Sequence, residues 1–160
     1  MRSLAMALVL LTACGGGAAP DGAPPTLPGR FELPEYDLAR YKGLIASLEG
    51  TPVVVNIWGS WCPPCRKEAP YLSSLAREFD ERVRFLGVDI LDERDAAKGF
   101  MREFSIPYPS VFDPDAEIRD GLGYLGQPVT IVYDASGEVS YQKTGEITEA
   151  ELRGEIRKVL

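Results

Sequence analysis

The run Val53 to Trp58 is almost wholly β-branched and aromatic, and Trp61-Cys62-Pro63-Pro64-Cys65 follows it directly. Such a run is the pattern of a strand covered on both faces, which belongs in the centre of a sheet. Behind the cysteines, Ala69, Leu72, Leu75, Ala76 and Phe79 recur at helical steps. This spacing predicts a helix from Pro63 to about Asp80, kinked at Pro70. A buried strand that passes straight into a helix puts Cys62 at the helix N-terminus. There the unpaired N–H groups and the helix dipole favour a thiolate. Cys65 then lies one turn inside, within reach of a mixed disulfide formed on Cys62. In the reduced protein Cys62 is therefore expected to be exposed and Cys65 covered.

The other uses of a Cys-x-x-Cys pair fit this composition poorly. Zinc needs two further Cys or His ligands, and the chain has three cysteines and no histidine. Haem attachment needs a His after the second Cys, and Arg66 stands there. A purely structural disulfide across so short a loop removes little entropy from the unfolded chain. The residues thus favour dithiol redox chemistry that needs no metal and no cofactor.

At 160 residues, 45% apolar and 26% charged, the chain suits one globular domain. Its net charge of −7 argues against nucleic acid as a partner. Ahead of the domain, Arg2, the apolar run Leu4 to Leu11 and the small residues Thr12 and Ala13 read as a secretory signal over residues 1–13, too short to span a bilayer. Residues 14–30 begin with Cys14 and continue in Gly, Ala and Pro, the composition of a flexible tether. Residues 31–160 remain for the folded domain.

Within it, Asp37 is placed to cap a helix that runs to Leu48 and stops at Gly50. Arg82 to Ile90 reads as a second central strand, and Asp92 as the cap of a helix carrying Ala96, Phe100, Met101 and Phe104. Asp92, Glu93 and Asp95 together read as a solvated helix start. A short strand is expected at about Ser110 to Phe112, and Pro114 suits the first turn of a short helix reaching about Leu122. Val129 to Tyr133 and Glu138 to Lys143 flank Asp134-Ala135-Ser136-Gly137 as a hairpin, and Thr148 to Leu160 has the spacing of a terminal helix. The pattern predicts an α/β sandwich, a central mixed sheet flanked by helices.

The stretch Val53-Val54-Val55-Asn56-Ile57-Trp58-Gly59-Ser60-Trp61-Cys62-Pro63-Pro64-Cys65-Arg66-Lys67-Glu68-Ala69-Pro70 resembles the thioredoxin superfamily. More closely, it is similar to exported, membrane-tethered thiol-disulfide oxidoreductases of the TlpA/ResA type. The resemblance extends over about residues 31–160 and includes the helix and strand inserted between Asp92 and Phe112. Leu11-Thr12-Ala13-Cys14 resembles the lipobox of bacterial lipoproteins, which would make Cys14 an acylated membrane anchor.

The resemblance implies roles for particular residues. Cys62 and Cys65 would form the redox-active disulfide, with Cys62 the nucleophile and Cys65 the resolving thiol. Glu68 would handle the proton of Cys65, and partial burial would raise its pKa for that task. Pro128 would be a cis-proline facing the dithiol, leaving the Gln127 backbone to pair with an extended substrate chain. Trp61 would form part of an apolar lip, Trp58 would be core, and Tyr124 could border the same groove. The chain departs from cytosolic thioredoxins at Asn56, where they carry a buried Asp.

The implied activity is reduction of protein disulfides on the outer face of a bacterial cell membrane, including that of apocytochrome c, whose cysteines it returns to thiols in cytochrome c maturation. Electrons would come from a membrane thiol donor. A disulfide-forming oxidase of secreted proteins is the main alternative, and a metal-binding lipoprotein or a peroxidase of the same superfamily are further ones.

Overall fold

The computed structural model describes residues 26–160. The signal and lipobox residues 1–13 and Cys14 lie outside the described residues. Folded contacts already begin at Leu27, which packs against the apolar cluster on one face of the sheet, and the Arg30 guanidinium donates to the Ile106 carbonyl.

The chain forms α1 (Leu38–Ser47), β1 (Val53–Trp58), α2 (Pro63–Glu78), β2 (Arg84–Ile90), α3 (Arg94–Glu103), β3 (Ser110–Asp113), α4 (Glu117–Gly121), β4 (Val129–Tyr133), β5 (Val139–Thr144) and α5 (Glu149–Lys158). The strands make one sheet in the order β3-β2-β1-β4-β5. β1 pairs parallel with β2 and β2 with β3, while β4 runs antiparallel to both β1 and β5. The sheet is mixed because βα crossovers produce the first half and a hairpin the second. β1 is central and fully buried, as its apolar run requires.

Alternation along the strands divides the core into two layers. Val54, Trp58, Phe85, Phe112 and Val132 face the layer made by α2, α3 and α5. Val53, Val55, Ile57, Leu86, Val88, Val129 and Ile131 face α1 and α4. The outer edge of β3 is covered by the segment before α1, where Tyr36 N donates to Phe112 O and Phe112 N to Pro34 O. A covered edge does not invite strand addition there.

Asp37 and Thr148 cap their helices through side-chain acceptors at Arg40 N and Glu151 N. α2 continues through Pro70, held by the buried face of Ala69, Leu72, Leu75 and Ala76. Two expected starts are corrected. α3 begins at Arg94 behind Glu93, whose side chain makes no cap, because Asp92 reaches back to Ser60 instead. Pro114 lies ahead of α4 rather than in its first turn. The Asp113 carboxylate accepts from Glu117 N and Ile118 N and so sets where that helix begins.

Candidate active site

Cys62 is the N-cap of α2, with extended backbone at φ −86° and ψ 111°. A helix start exposes unpaired amides, but here Pro63 and Pro64 occupy the first two helical positions and have none to offer. The amide that remains is that of Cys65, which donates to Cys62 Sγ at 3.3 Å. Cys62 and Cys65 are joined as a disulfide with their Cα atoms 5.3 Å apart. Both residues are only 2% exposed. In this disulfide form the Cys62 sulfur is turned back over the first turn of α2 and into the apolar layer, while the expected exposure of Cys62 concerns the reduced protein.

Glu68 shares the buried stripe of α2 with Cys65 and Ala69, as the three-residue step demands. Its burial is complete rather than partial. Oε1 accepts from Ile147 N at 2.8 Å and Oε2 from Asn56 Nδ2 at 3.4 Å. Desolvation pushes its pKa from 4.5 to about 7, and the two hydrogen bonds together with Lys143 hold it from rising further. Asn56 thus presents an amide donor to Glu68 where a second carboxylate would repel it.

A second buried carboxyl, Asp89, was not singled out by the sequence pattern. It lies on β2 opposite Trp58, and neither oxygen has a hydrogen-bond partner among the described residues. Burial, then the neighbouring Asp92, pushes its pKa up to about 9, so the group is neutral near pH 7. The available signal was an acidic residue breaking the apolar end of a central strand.

Across β1, Ile57 pairs with Val129, which brings Pro128 beside the end of β1 where the dithiol loop begins. The Gln127–Pro128 peptide is cis. Pro128 O accepts from Gly145 N, while the Gln127 N–H and C=O have no backbone partner among the described residues. The Gln127 side chain is turned to α4, where Oε1 accepts from Arg119 Nη1 at 3.1 Å. Sequence reasoning missed Arg119, whose distance from the motif along the chain gave no sign of this contact.

Trp61 is half-exposed and donates from Nε1 to Leu91 O at 2.9 Å. Leu91 is also half-exposed, and Leu125, in the loop before Pro128, is 96% exposed. Trp58 is core, stacked on Phe100 with ring centroids 4.5 Å apart. Tyr124 packs on the α1 and α4 layer and bonds Gln142, so its contacts lie on the face away from Cys62.

A dithiol at a strand-to-helix junction, a buried carboxyl on the same helix face and a cis-proline beside it define a thioredoxin-fold thiol-disulfide oxidoreductase. The comparisons with known proteins agree. The AhpC/TSA family model matches residues 27–142, and the chain belongs to that family. It is 34% identical over 133 residues to the thiol-disulfide oxidoreductase ResA of Bacillus thuringiensis (strain Al Hakam), covering 80% of this chain and 76% of that protein. Against the thiol:disulfide interchange protein DsbE of Escherichia coli (strain K12) it is 34% identical over 110 residues, 68% of this chain and 58% of that protein. A crystal structure of a secreted Mycobacterium tuberculosis disulfide oxidoreductase homologous to Escherichia coli DsbE superposes with a TM-score of 0.65. The identity is 29%, over 71% of this chain and 85% of that one.

Proposed function

We propose that this oxidoreductase is exported, anchored to the cell membrane through a lipid on Cys14, and works as a reductase of protein disulfides. The observation that carries the direction is the poverty of donors around Cys62. A dithiol is strongly oxidising when its reduced form is stabilised. With Pro63 and Pro64 in the first turn, the Cys62 thiolate has the Cys65 amide and little else from the helix start. That favours the disulfide form and a low potential.

In the reducing direction the Cys62 thiolate attacks one sulfur of a substrate disulfide. A mixed disulfide forms, and the first substrate thiolate leaves and takes a proton. Cys65 gives its proton to the Glu68 carboxylate and attacks Cys62 Sγ, which expels the second substrate thiolate. The products are a reduced substrate dithiol and the Cys62–Cys65 disulfide, so two electrons pass from protein to substrate. A membrane thiol donor would restore the dithiol. The unpaired Gln127 backbone would hold the substrate chain as an added strand, with Trp61 alongside.

Relatives named thiol-disulfide oxidoreductase ResA and thiol:disulfide interchange protein DsbE support the dithiol exchange, and the disulfide form of the apocytochrome c cysteines in cytochrome c maturation is the proposed substrate. No described helix is long and apolar enough to cross a membrane, and the lipobox-like Leu11-Thr12-Ala13-Cys14 supports attachment through Cys14. Equilibration with thiol–disulfide buffers tests the direction. A potential at or below about −270 mV is expected, and one near about −120 mV would make the protein an oxidase that donates disulfides.

A further inference from the structure

The residues that enter α2 are held from outside the Cys-x-x-Cys motif. β2 ends at Ile90, and Leu91 turns the chain at φ 50°, a left-handed conformation that a leucine adopts only under constraint. The turn brings Leu91 O to Trp61 Nε1 at 2.9 Å. It also sets the Asp92 carboxylate against Ser60, where Oδ2 accepts from Ser60 N at 2.6 Å and Oδ1 from Ser60 Oγ at 2.9 Å. Oδ1 accepts in addition from Glu93 N at 2.8 Å, which fixes the carboxylate itself. From the other side, Arg66 Nη1 donates to Ser60 O at 3.3 Å. Arg66 is held in turn by Glu103 at 2.5 Å and by the face of Phe104, 5.0 Å from its guanidinium carbon.

The N–H, hydroxyl and carbonyl of Ser60 are thus all bound, and Cys62 N closes the turn onto Gly59 O at 3.1 Å. Where the chain enters α2 decides where the Cys62 sulfur points, since Cys62 is the helix cap. We propose that Asp92 is a positioning residue for the dithiol reaction, acting through Ser60 to aim Cys62 at the incoming disulfide. A carboxylate is suited to this place because both of its oxygens accept, whereas an amide would set an N–H against the backbone N–H of Ser60 or of Glu93. The observed clasp also explains why the acidic cluster before α3 is not simply a solvated helix start.

The proposal rests on Cys62 being the attacking sulfur, so a Cys62→Ser control comes first. If that variant exchanges as fast as the parent, the assignment of the nucleophile has failed, and the proposal that Asp92 aims Cys62 is overturned with it. With that control lost as expected, Asp92→Ala, Ser60→Ala and the double variant are compared for exchange with a small aromatic disulfide. A small substrate leaves the docking surface out of the measurement. Misplacing a reacting group by about 1 Å can cost on the order of 100-fold, so a partial release predicts a loss of roughly tenfold for Asp92→Ala and about threefold for Ser60→Ala. Ser60→Ala should add nothing in the Asp92→Ala background, since the bond it removes is already gone. The ratio of Cys62 to Cys65 alkylation in the reduced protein should fall in parallel, a readout that a purely structural role would not move. Unchanged exchange with a lowered melting temperature would make Asp92 a fold residue and overturn the proposal. Faster exchange in Asp92→Ala would overturn it too, by showing that the carboxylate acts as a charge opposing the thiolate. If Asp92→Ala does not fold, Ser60→Ala alone decides, and a parental rate in that variant refutes the clasp.

Discussion

Glu68→Gln should make the protein more stable and slower at once. The carboxyl titrates near 4.5 when exposed and near about 7 in the fold, because burial disfavours its charge. Between these values the folded state holds a proton that the unfolded chain has lost. Stability therefore falls as pH rises through this window and levels once both states are ionised, above about pH 8. The displacement from 4.5 to about 7 corresponds to a cost of about 3 kcal/mol at the upper end and almost none below about pH 4. Glutamine keeps an acceptor for Ile147 N, and Asn56 can turn its amide oxygen toward the new NH2, so the site should remain filled and bonded. The variant should gain about 3 kcal/mol over the parent on going from about pH 4 to about pH 8, or on the order of 10 °C in melting temperature. Urea unfolding of the oxidised proteins at both pH values measures this, with the thiols silent because they are paired. In the same variant, disulfide exchange near neutral pH should drop roughly tenfold, since the group that takes the Cys65 proton no longer titrates. A stability difference independent of pH would refute the buried, displaced carboxyl, and an unchanged exchange rate would remove Glu68 from the proton path.

Cys65→Ala should accumulate mixed disulfides through Cys62, because the resolving attack is lost; mass spectrometry of the trapped adducts checks this. Gly87→Ala places a Cβ 2.2 Å from Ser110 Oγ and 2.7 Å from Trp58 Nε1, so it should destabilise the fold by about 1–3 kcal/mol or more in denaturant titration. Cys14→Ser should move the domain from the membrane to the soluble fraction after a high-salt wash while leaving exchange with a soluble disulfide intact. Retention in the membrane would remove the lipid anchor from the proposal.

Much of the architecture is carried by signals that are local along the chain. The Val53–Trp58 run, the helical stripe from Ala69 to Phe79 and the turn residues between β4 and β5 each state their own conformation, because side-chain period is a property of neighbours in sequence. The same is true of the dithiol: Cys62 and Cys65 are separated by a single helical turn, so strand, helix and covalent reach place them together whatever else the fold does. The boundaries at Asp92 and Pro114 read wrongly for different reasons. Asp92 reaches Ser60, a partner 32 residues away that only the fold brings near, whereas Asp113, one residue before Pro114, accepts from the Glu117 amide four residues ahead and moves the helix start beyond the proline.

The chemistry of the site was decided at that second level. That a glutamate follows Cys65 by one helical turn is written in the sequence; that it is fully buried, bonded to Ile147 and Asn56 and moved to about 7 is the work of segments distant along the chain. Asp89, Arg119 and the Asp92 clasp likewise depend on what α3, α4 and the end of β2 bring near the dithiol loop. Periodicity specifies which face of an element is apolar. The pKa of a group on that face depends instead on solvent exclusion and on charges and dipoles within a few ångströms in space, and only the packed sheet and its two layers of helices supply them.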